Sequence, residues 1–266
     1  MQNTVTPTRI NNNVLLYTKN ISQRLVGEDK QTQHILDNIN FTLYDNEIVA
    51  ILGKSGAGKS TFLRTIAGLL PASSGKVYHQ DTLIEKPIEE IAMVFQSFAL
   101  LPWLTVLDNV CFGLDAQGMN KSTSKAKALK AIQLVGLAGY EHAYSKELSG
   151  GMRQRVGFAR ALVVEPKILL MDEPFSALDI GTASTLRKDI IRLWQEQAIQ
   201  TRSMVIVTHS VEEAVTMADR VIVFDHHPGR IAFETHILAD HPRDIQSANL
   251  REKIALISEQ LLEGAH

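Results

Sequence analysis

The sequence predicts an α/β fold built around a mostly parallel β-sheet. Short apolar runs rich in Val and Ile recur along the chain, which is typical of strands that are buried on both faces of a parallel sheet. The first of these runs leads through a glycine-rich stretch into a helical pattern, the strand, loop and helix order of an α/β unit. With 266 residues, the chain is long enough for one large domain or for one domain with an inserted subdomain.

Five apolar runs are predicted to be strands. The first covers residues 46–52 and ends at Gly53, and the spacing of apolar residues over 63–70 then predicts a helix. The other predicted strands cover residues 91–95, 167–171, 203–207 and 220–224.

The long segment between the second and third predicted strands has mostly helical character and no clear strand. Residues 97–166 are therefore predicted to form a helical subdomain inserted into an α/β core, which comprises residues 14–96 and 167–224.

Residues 225–266 are predicted to form a tail and a final helix. Pro228, Gly229 and Pro242 make the first part irregular or partly extended. Amphipathic spacing over residues 250–264 then predicts the last helix.

The composition is that of an ordinary globular protein, with 45% hydrophobic and 21% charged residues. A net charge of −2 gives no global attraction to nucleic acid or to an anionic membrane. The single cysteine, Cys111, cannot form an intramolecular disulfide, which favours a reducing compartment such as the cytoplasm. The polar opening stretch lacks a signal-peptide core, and no apolar run is long enough to span a bilayer.

The glycine-rich stretch GKSGAGKS fits the phosphate-loop pattern between a predicted strand and a predicted helix. Its glycines allow backbone N–H groups to surround a polyphosphate, while Lys59 reaches the β- and γ-phosphates and Ser60 ligates Mg²⁺. The alternative is a glycine-rich turn that only caps a helix. The residues assigned to nucleotide binding are Gly53, Lys54, Ser55, Gly56, Ala57, Gly58, Lys59, Ser60 and Thr61.

Polar side chains follow three of the other predicted strands. Asp172 and Glu173 end one strand, and we expect Asp172 to face Mg²⁺ and Glu173 to polarise the attacking water. Gln96 follows another strand and is expected to contact both the metal and the water. His209 follows a third and is expected to hydrogen-bond the γ-phosphate. The alternatives are a solvated strand end for the acidic pair and a structural role for the histidine.

The chain contains, in this order, the phosphate loop, Gln96, LSGGM (148–152), ILLMDE (168–173), SALD (176–179) and His209. In order and approximate spacing these motifs resemble the nucleotide-binding domains of ATP-binding-cassette (ABC) transporters, over residues 14–224. The resemblance implies a single ABC ATPase domain over residues 1–266, with a P-loop NTPase core and an N-terminal antiparallel β subdomain.

The resemblance also implies a homodimer that holds two ATP molecules between its copies. Ser149, Gly150 and Gly151 then form a second anion site at a helix N-terminus, for the ATP bound by the other copy. Asp179 would make a contact across the dimer. Two arginines inside this helix, Arg153 and Arg155, are either solvated charges or direct participants.

Two further stretches resemble bacterial importer ATPases. Residues 98–110 resemble the region that grips a permease, and Trp103 there is either an exposed contact residue or part of the helical core. Residues 226–244 resemble the tail of nitrate, sulfonate and taurine importers. This implies a peripheral subunit on the cytoplasmic face of the inner membrane, with a separate permease, a solute-binding protein and no nucleic acid as partner.

Some positions depart from the family or leave alternatives open. Leu25 stands where the family commonly stacks an aromatic side chain on adenine, and Tyr17 is an alternative. Because the adjacent His226 and His227 are expected to point apart, a metal site there is disfavoured. A soluble non-transport ABC ATPase and an exporter ATPase remain the competing functions. The first usually carries a coiled coil, a second cassette or a basic surface, none of which is visible.

Overall fold

A computed structural model describes residues 13–26 and 31–263. These residues divide into two compact units, Met1–Ile88 with Arg202–His266, and Glu89–Thr201. Residues 1–12, 27–30 and 264–266 lie outside the described residues, and so do most of the polar opening stretch and the last residue of the predicted final helix.

The described residues form the following elements. The strands are β1 (Val14–Val26), β2 (Thr32–Ile39), β3 (Thr42–Tyr44), β4 (Ile48–Gly53), β5 (Ser74–His79), β6 (Thr82–Leu83), β7 (Ile91–Val94), β8 (Ile168–Asp172), β9 (Ser203–Val207), β10 (Arg220–Phe224) and β11 (Ile231–His236). The helices are α1 (Lys59–Ile66), α2 (Val106–Ala116), α3 (Lys121–Leu134), α4 (Gly150–Leu162), α5 (Ile180–Gln195), α6 (Val211–Met217) and α7 (Ala248–Glu263).

The first unit contains the parallel strands that precede the phosphate loop. β4 lies between β9 and β10 and is parallel to both, while β11 pairs antiparallel with β10. Every residue of β4, β9 and β10 is buried, as expected for strands covered on both faces. The predicted parallel sheet is therefore confirmed.

The same unit contains an antiparallel sheet near the N-terminus, which confirms the predicted β subdomain. β1 pairs with β2, β3 and β5, and β5 pairs with β6. Arg220, at the start of β10, donates hydrogen bonds to both carboxylate oxygens of Glu47, at 2.7 and 2.9 Å, and one to the carbonyl of Thr42 on β3. This buried arginine therefore ties the parallel strands to the antiparallel sheet.

The second unit combines two parallel strands with four helices. β7 pairs with β8 in register from Ile91 opposite Ile168. Helices α2, α3 and α4 pack on one another through buried side chains such as Val110, Ile132 and Phe158. All three lie within residues 97–166, where the described residues contain no strand longer than an isolated bridge. The boundaries of the predicted subdomain stay a prediction.

Strand positions agree with the sequence prediction to within two residues. The predicted strand 46–52 begins later, at Ile48, because Asn46 has a left-handed φ of 57° in the preceding turn. The first helix begins earlier than its apolar spacing suggested, at Lys59. It ends at Ile66 because Gly68, with φ 72°, donates its N–H to the carbonyl of Thr65 and turns the chain.

The predicted tail contains a strand and a buried anchor. β11 is the extended part of the tail, and the side chain of Arg243 attaches the tail to the residues around the end of α6. The Arg243 side chain is 1% exposed and bonds to the carbonyls of Val215 and Ala218 and to Asp219. Burial lowers the pKa of Arg243 and raises that of Asp219. None of the helices in the described residues has the length and apolar character needed to span a bilayer.

Candidate functional site

The phosphate loop leaves the buried end of β4 and enters α1. Gly56 and Gly58 adopt left-handed φ values of 83° and 79°, which side chains with a Cβ rarely tolerate. A Cβ on Gly58 would also lie 2.6 Å from the Cδ2 atom of Leu36. No side chain caps the N-terminus of α1 at Gly58. The loop therefore has the tight backbone and the side-chain-free helix start that a phosphate group requires.

Lys59 is the first residue of α1 and its side chain turns back into the loop. The residue is 6% exposed, and its Nζ donates to the carbonyls of Gly53 at 2.7 Å and Lys54 at 2.9 Å. The ammonium group is thus held within the loop, where it fits the predicted contact with the β- and γ-phosphates.

A turn from the C-terminal tail lies against the back of the phosphate loop. Gly229 donates its N–H to the carbonyl of Ile35 at 2.8 Å, and its own carbonyl accepts the N–H of Asp37 at 2.9 Å. A Cβ on Gly229 would lie 2.2 Å from the carbonyl oxygen of Ala57 in the loop. Next to Gly229, Arg230 forms a salt bridge with Asp37. The loop is therefore backed by a segment far from it in sequence.

Gln96 and Glu173 meet within the second unit. Gln96 follows β7 and donates its Nε2 hydrogen to Glu173 Oε2 at 2.9 Å. Glu173 has a left-handed φ of 45°, a strained conformation for a residue with a side chain. Ser176 holds the turn by donating its hydroxyl to the Glu173 carbonyl at 3.0 Å. Asp172, the last residue of β8, is 3% exposed, so the two adjacent carboxylates differ in environment.

The residues of the predicted second anion site lie at the N-terminus of α4, and the predicted dimer contact Asp179 lies at the N-terminus of α5. Ser149 caps α4 by accepting the N–H of Met152 at 3.3 Å, and Asp179 caps α5 by accepting the N–H of Thr182 at 2.9 Å. Hydrogen bonds from Thr182 lower the pKa of Asp179. A Cβ on Gly151 would lie 2.4 Å from the Cγ2 atom of Thr182, whereas one on Gly150 would meet nothing closer than 3.8 Å. Packing within the chain therefore requires a glycine at position 151 but not at position 150.

Of the two alternatives for Arg153 and Arg155, the solvated charge is wrong for both, and direct participation stays a prediction. Arg153 donates to the carbonyl of Leu148 at 2.7 Å, and Arg155 bonds to the carbonyl of Val135 and to Asp189, each within 2.9 Å. Both side chains brace α4 within its own unit.

His209 lies in the first unit, in the short link between β9 and α6. It is exposed and lies between two residues that shape the link. Ser210 caps α6 by accepting the N–H of Glu213, and its own N–H donates to the hydroxyl of buried Thr208 at 3.1 Å. The chain on either side of His209 is therefore held by hydrogen bonds, and the contact of His209 with the γ-phosphate stays a prediction.

Trp103 is 69% exposed, so the interpretation as helical core is wrong for this residue. It is correct for Val106, the first residue of α2, which is 1% exposed. The segment presents an aromatic ring to solvent while its next turn anchors it in the unit.

The expectation that His226 and His227 point apart is wrong, because their ring centroids lie 4.7 Å apart. Among the residues that the structure describes, no group of three or more His, Cys, Asp or Glu side chains is arranged to hold a metal. Of the two adenine candidates, Leu25 is 38% exposed, whereas Tyr17 stacks on Tyr78 at 4.8 Å. The adenine assignment stays a prediction.

Residues 36–176 match the family model described as ABC transporter. The chain belongs to the ABC transporter family. It is 44% identical to an uncharacterized ABC transporter ATP-binding protein of Methanocaldococcus jannaschii, over 86% of each chain. It is 43% identical to a taurine import ATP-binding protein of Rhizobium johnstonii over 76% of each chain, and 44% identical to one of Pseudomonas syringae pv. tomato over 79% of this chain and 78% of that one.

The structural comparison agrees with the family. An ATP-binding cassette solved as a dimer in a post-hydrolysis state with ADP and Pi superposes with a TM-score of 0.74. It is 30% identical to this chain, covering 84% of it and 99% of that cassette. This ABC protein is an ATPase with the P-loop NTPase fold.

Several residues that shape the elements of this ABC ATPase escaped sequence reasoning. Gly229, Arg160 and Asn109 act through backbone groups distant in sequence or through a local loop conformation. Gly229 carried a weak signal, a glycine beside a proline. Arg160 and Asn109 carried none, since polar residues in amphipathic helices normally face solvent.

Replacing Gly229 with Ala should weaken the phosphate loop. The added Cβ would collide with the Ala57 carbonyl, and overpacking of this kind costs about 1–3 kcal/mol. We expect a lower melting temperature together with a lower ATP affinity, measured by calorimetry on the same preparation. Wild-type values for both quantities would contradict the close approach of this turn to the loop.

The two signature glycines should respond differently to Ala. Gly151→Ala should lose about 1–3 kcal/mol of unfolding free energy through its clash with Thr182, and adding Thr182→Ser should restore most of it by removing the methyl group. Gly150→Ala should be neutral or stabilising, because Ala is the better helix former. Chemical denaturation measures all three variants, and equal losses for both glycines would contradict the packing described.

Proposed function

We propose that this protein is the ATP-hydrolysing subunit of an importer that takes up a small sulfonate-like solute such as taurine, or nitrate, through a separate permease. The main support is the similarity to two taurine import ATP-binding proteins at 43% and 44% identity over three-quarters of the chain or more. The subunit would act at the cytoplasmic face of the inner membrane, together with a solute-binding protein.

We assign ATP binding to the phosphate loop and α1. The backbone of residues 53–60 surrounds the phosphates, and Lys59 contacts the β- and γ-phosphates from its position inside the loop. Ser60, Gln96 and Asp172 are proposed to hold Mg²⁺. Their oxygen donors suit this hard cation, and the buried carboxylate of Asp172 suits a charge partner. When bound, Mg²⁺ neutralises the charge that develops on the transferred phosphoryl group.

Hydrolysis is assigned to the side chains that follow the strands. Glu173 polarises the attacking water, and its left-handed backbone is the kind of strain found where a side chain must be aimed. Gln96 orients the same carboxylate through its 2.9 Å hydrogen bond. His209 donates a hydrogen bond to the γ-phosphate.

We propose that two copies of the chain share two ATP molecules. The similar cassette was solved as a dimer with ADP and Pi. Ser149 and the amides of Gly150 and Gly151 would contact the ATP of the other copy at the positive end of α4, with Asp179 contacting the partner. A Cβ on Gly150 would make only ordinary van der Waals contacts, with Ala177 and Leu178, so packing within the chain does not require a glycine there, and this supports the role.

Glu173→Gln should bind ATP with nearly wild-type affinity and lose turnover by a factor of about 10² or more, since the amide cannot accept the proton from water. Size-exclusion chromatography with ATP should then show an accumulated dimer. A variant that turns over ATP at the wild-type rate would overturn the assignment of the base.

The importer proposal is tested by isolating the tagged protein from detergent-solubilised membranes of cells that express the candidate permease. We expect a multi-span permease to co-purify with the wild type, and much less with Trp103→Ala, because that exposed ring is the proposed contact. As a control, the melting temperature of the variant is compared with that of the wild type to test whether its fold is intact. A homodimer without any membrane partner would favour the non-transport ATPase instead.

A further inference from the structure

The turn that follows Gln96 is strained at two successive residues. Phe98 and Ala99 have φ values of 60° and 47°, both in the left-handed region, although neither is glycine. The N–H of Ala99 is donated to the carbonyl of Ser97 at 2.7 Å, which closes a very tight turn. Such a conformation persists only where surrounding contacts hold it.

The main contacts that hold this turn come from Arg160 of helix α4. Its Nη1 donates to the carbonyl of Ala99 at 2.6 Å and its Nη2 to the carbonyl of Phe98 at 3.0 Å. The guanidinium is a planar fork of fixed geometry, so two donors engage two successive carbonyls at once. A lysine could satisfy only one of them with comparable geometry.

Further contacts place the turn closely on α4 and fix the chain beyond it. Arg153 lies over the Phe98 ring, 5.6 Å from its centroid, and the position of a Cβ on Gly157 lies 3.7 Å from the Phe98 carbonyl. Beyond the turn, buried Asn109 accepts the N–H of Leu101 at 2.9 Å and donates to the Leu101 carbonyl at 3.1 Å. The strained turn therefore connects Gln96 to a segment at Leu101 whose backbone is fixed by Asn109.

We propose that Arg160 is a positioning residue for ATP hydrolysis: it holds the left-handed turn at Phe98–Ala99 and thereby keeps Gln96 within hydrogen-bond reach of Glu173. This inference rests on the proposed roles of Gln96 and Glu173 in hydrolysis. Because Arg160 lies on α4, the helix that Ser149 caps, it links this helix to the turn that follows Gln96.

The first test is a double-mutant cycle with Arg160→Lys and Gln96→Ala, measuring kcat and KM for ATP. We expect Arg160→Lys to lower kcat by about tenfold, as for a small misplacement of a reacting group, while KM stays within about twofold. In the Gln96→Ala background the same substitution should add almost nothing, because both act through one interaction. The matched control is Arg192→Lys on α5, whose side chain is 59% exposed.

The second test changes the turn and leaves Arg160 intact. Ala99 is exposed, so its substitution does not disturb a core. Ala99→Val should lower kcat, because a β-branched residue strongly disfavours positive φ, whereas Ala99→Gly should keep it. Combining Ala99→Gly with Arg160→Lys should recover part of the lost kcat. Melting temperatures separate these effects from a general loss of stability.

The outcomes distinguish the two proposals. If Gln96→Ala slows hydrolysis but Arg160→Lys does not, or if the two losses multiply, Arg160 does not act through Gln96 and the inference falls while the proposed function stands. The same holds if Ala99→Val keeps wild-type kcat. If Gln96→Ala itself turns over ATP like the wild type, the proposed role of Gln96 falls and takes the inference with it.

Discussion

The conformation of the phosphate loop depends on a few positions where only glycine fits, because a Cβ atom there would collide with neighbouring atoms. Gly58 has a positive φ that residues with a Cβ rarely adopt, and its Cα packs against Leu36. Gly229 lies close to the carbonyl of Ala57. These contacts join the loop to β2 on one side and to the C-terminal tail on the other. The backbone of the loop is thus shaped by two other segments of the chain.

Three of the five non-glycine residues with positive φ in the second unit are Glu173 and the two residues of the turn that follows Gln96. Glu173, Phe98 and Ala99 all have positive φ, and each is held by a specific donor: Ser176 for the first and Arg160 for the other two. Strained backbone is retained when neighbouring contacts over-determine it. Positive φ also occurs in this unit at Glu165 and Gln197, which have no assigned role, so the support for the proposed roles comes from the specific contacts at Glu173, Phe98 and Ala99.

The sequence predicted five strands of the α/β core to within two residues, because such strands depend on a local pattern, whereas the roles of the motif residues stay predictions. Runs rich in Val and Ile indicate where strands lie in the sequence. The largest difference is the start of β4, which lies after the turn residue Asn46. The roles of Gly229 and Arg153 could not be predicted in this way. Each acts through a backbone carbonyl or a ring whose position is set by the fold, so the same letters could have belonged to a solvated turn or helix face.

The segment from Gln96 to Trp103 joins the proposed catalytic and permease contacts in a single stretch of chain. Arg160 holds its carbonyls at Phe98 and Ala99, and Asn109 holds Leu101. These bonds hold the backbone of the segment at Phe98, Ala99 and Leu101, between the two proposed contacts. On the proposed roles of Trp103 and Gln96, a permease that displaces Trp103 would act on Gln96 through this held stretch, and Arg160 would be the residue whose contacts resist the movement.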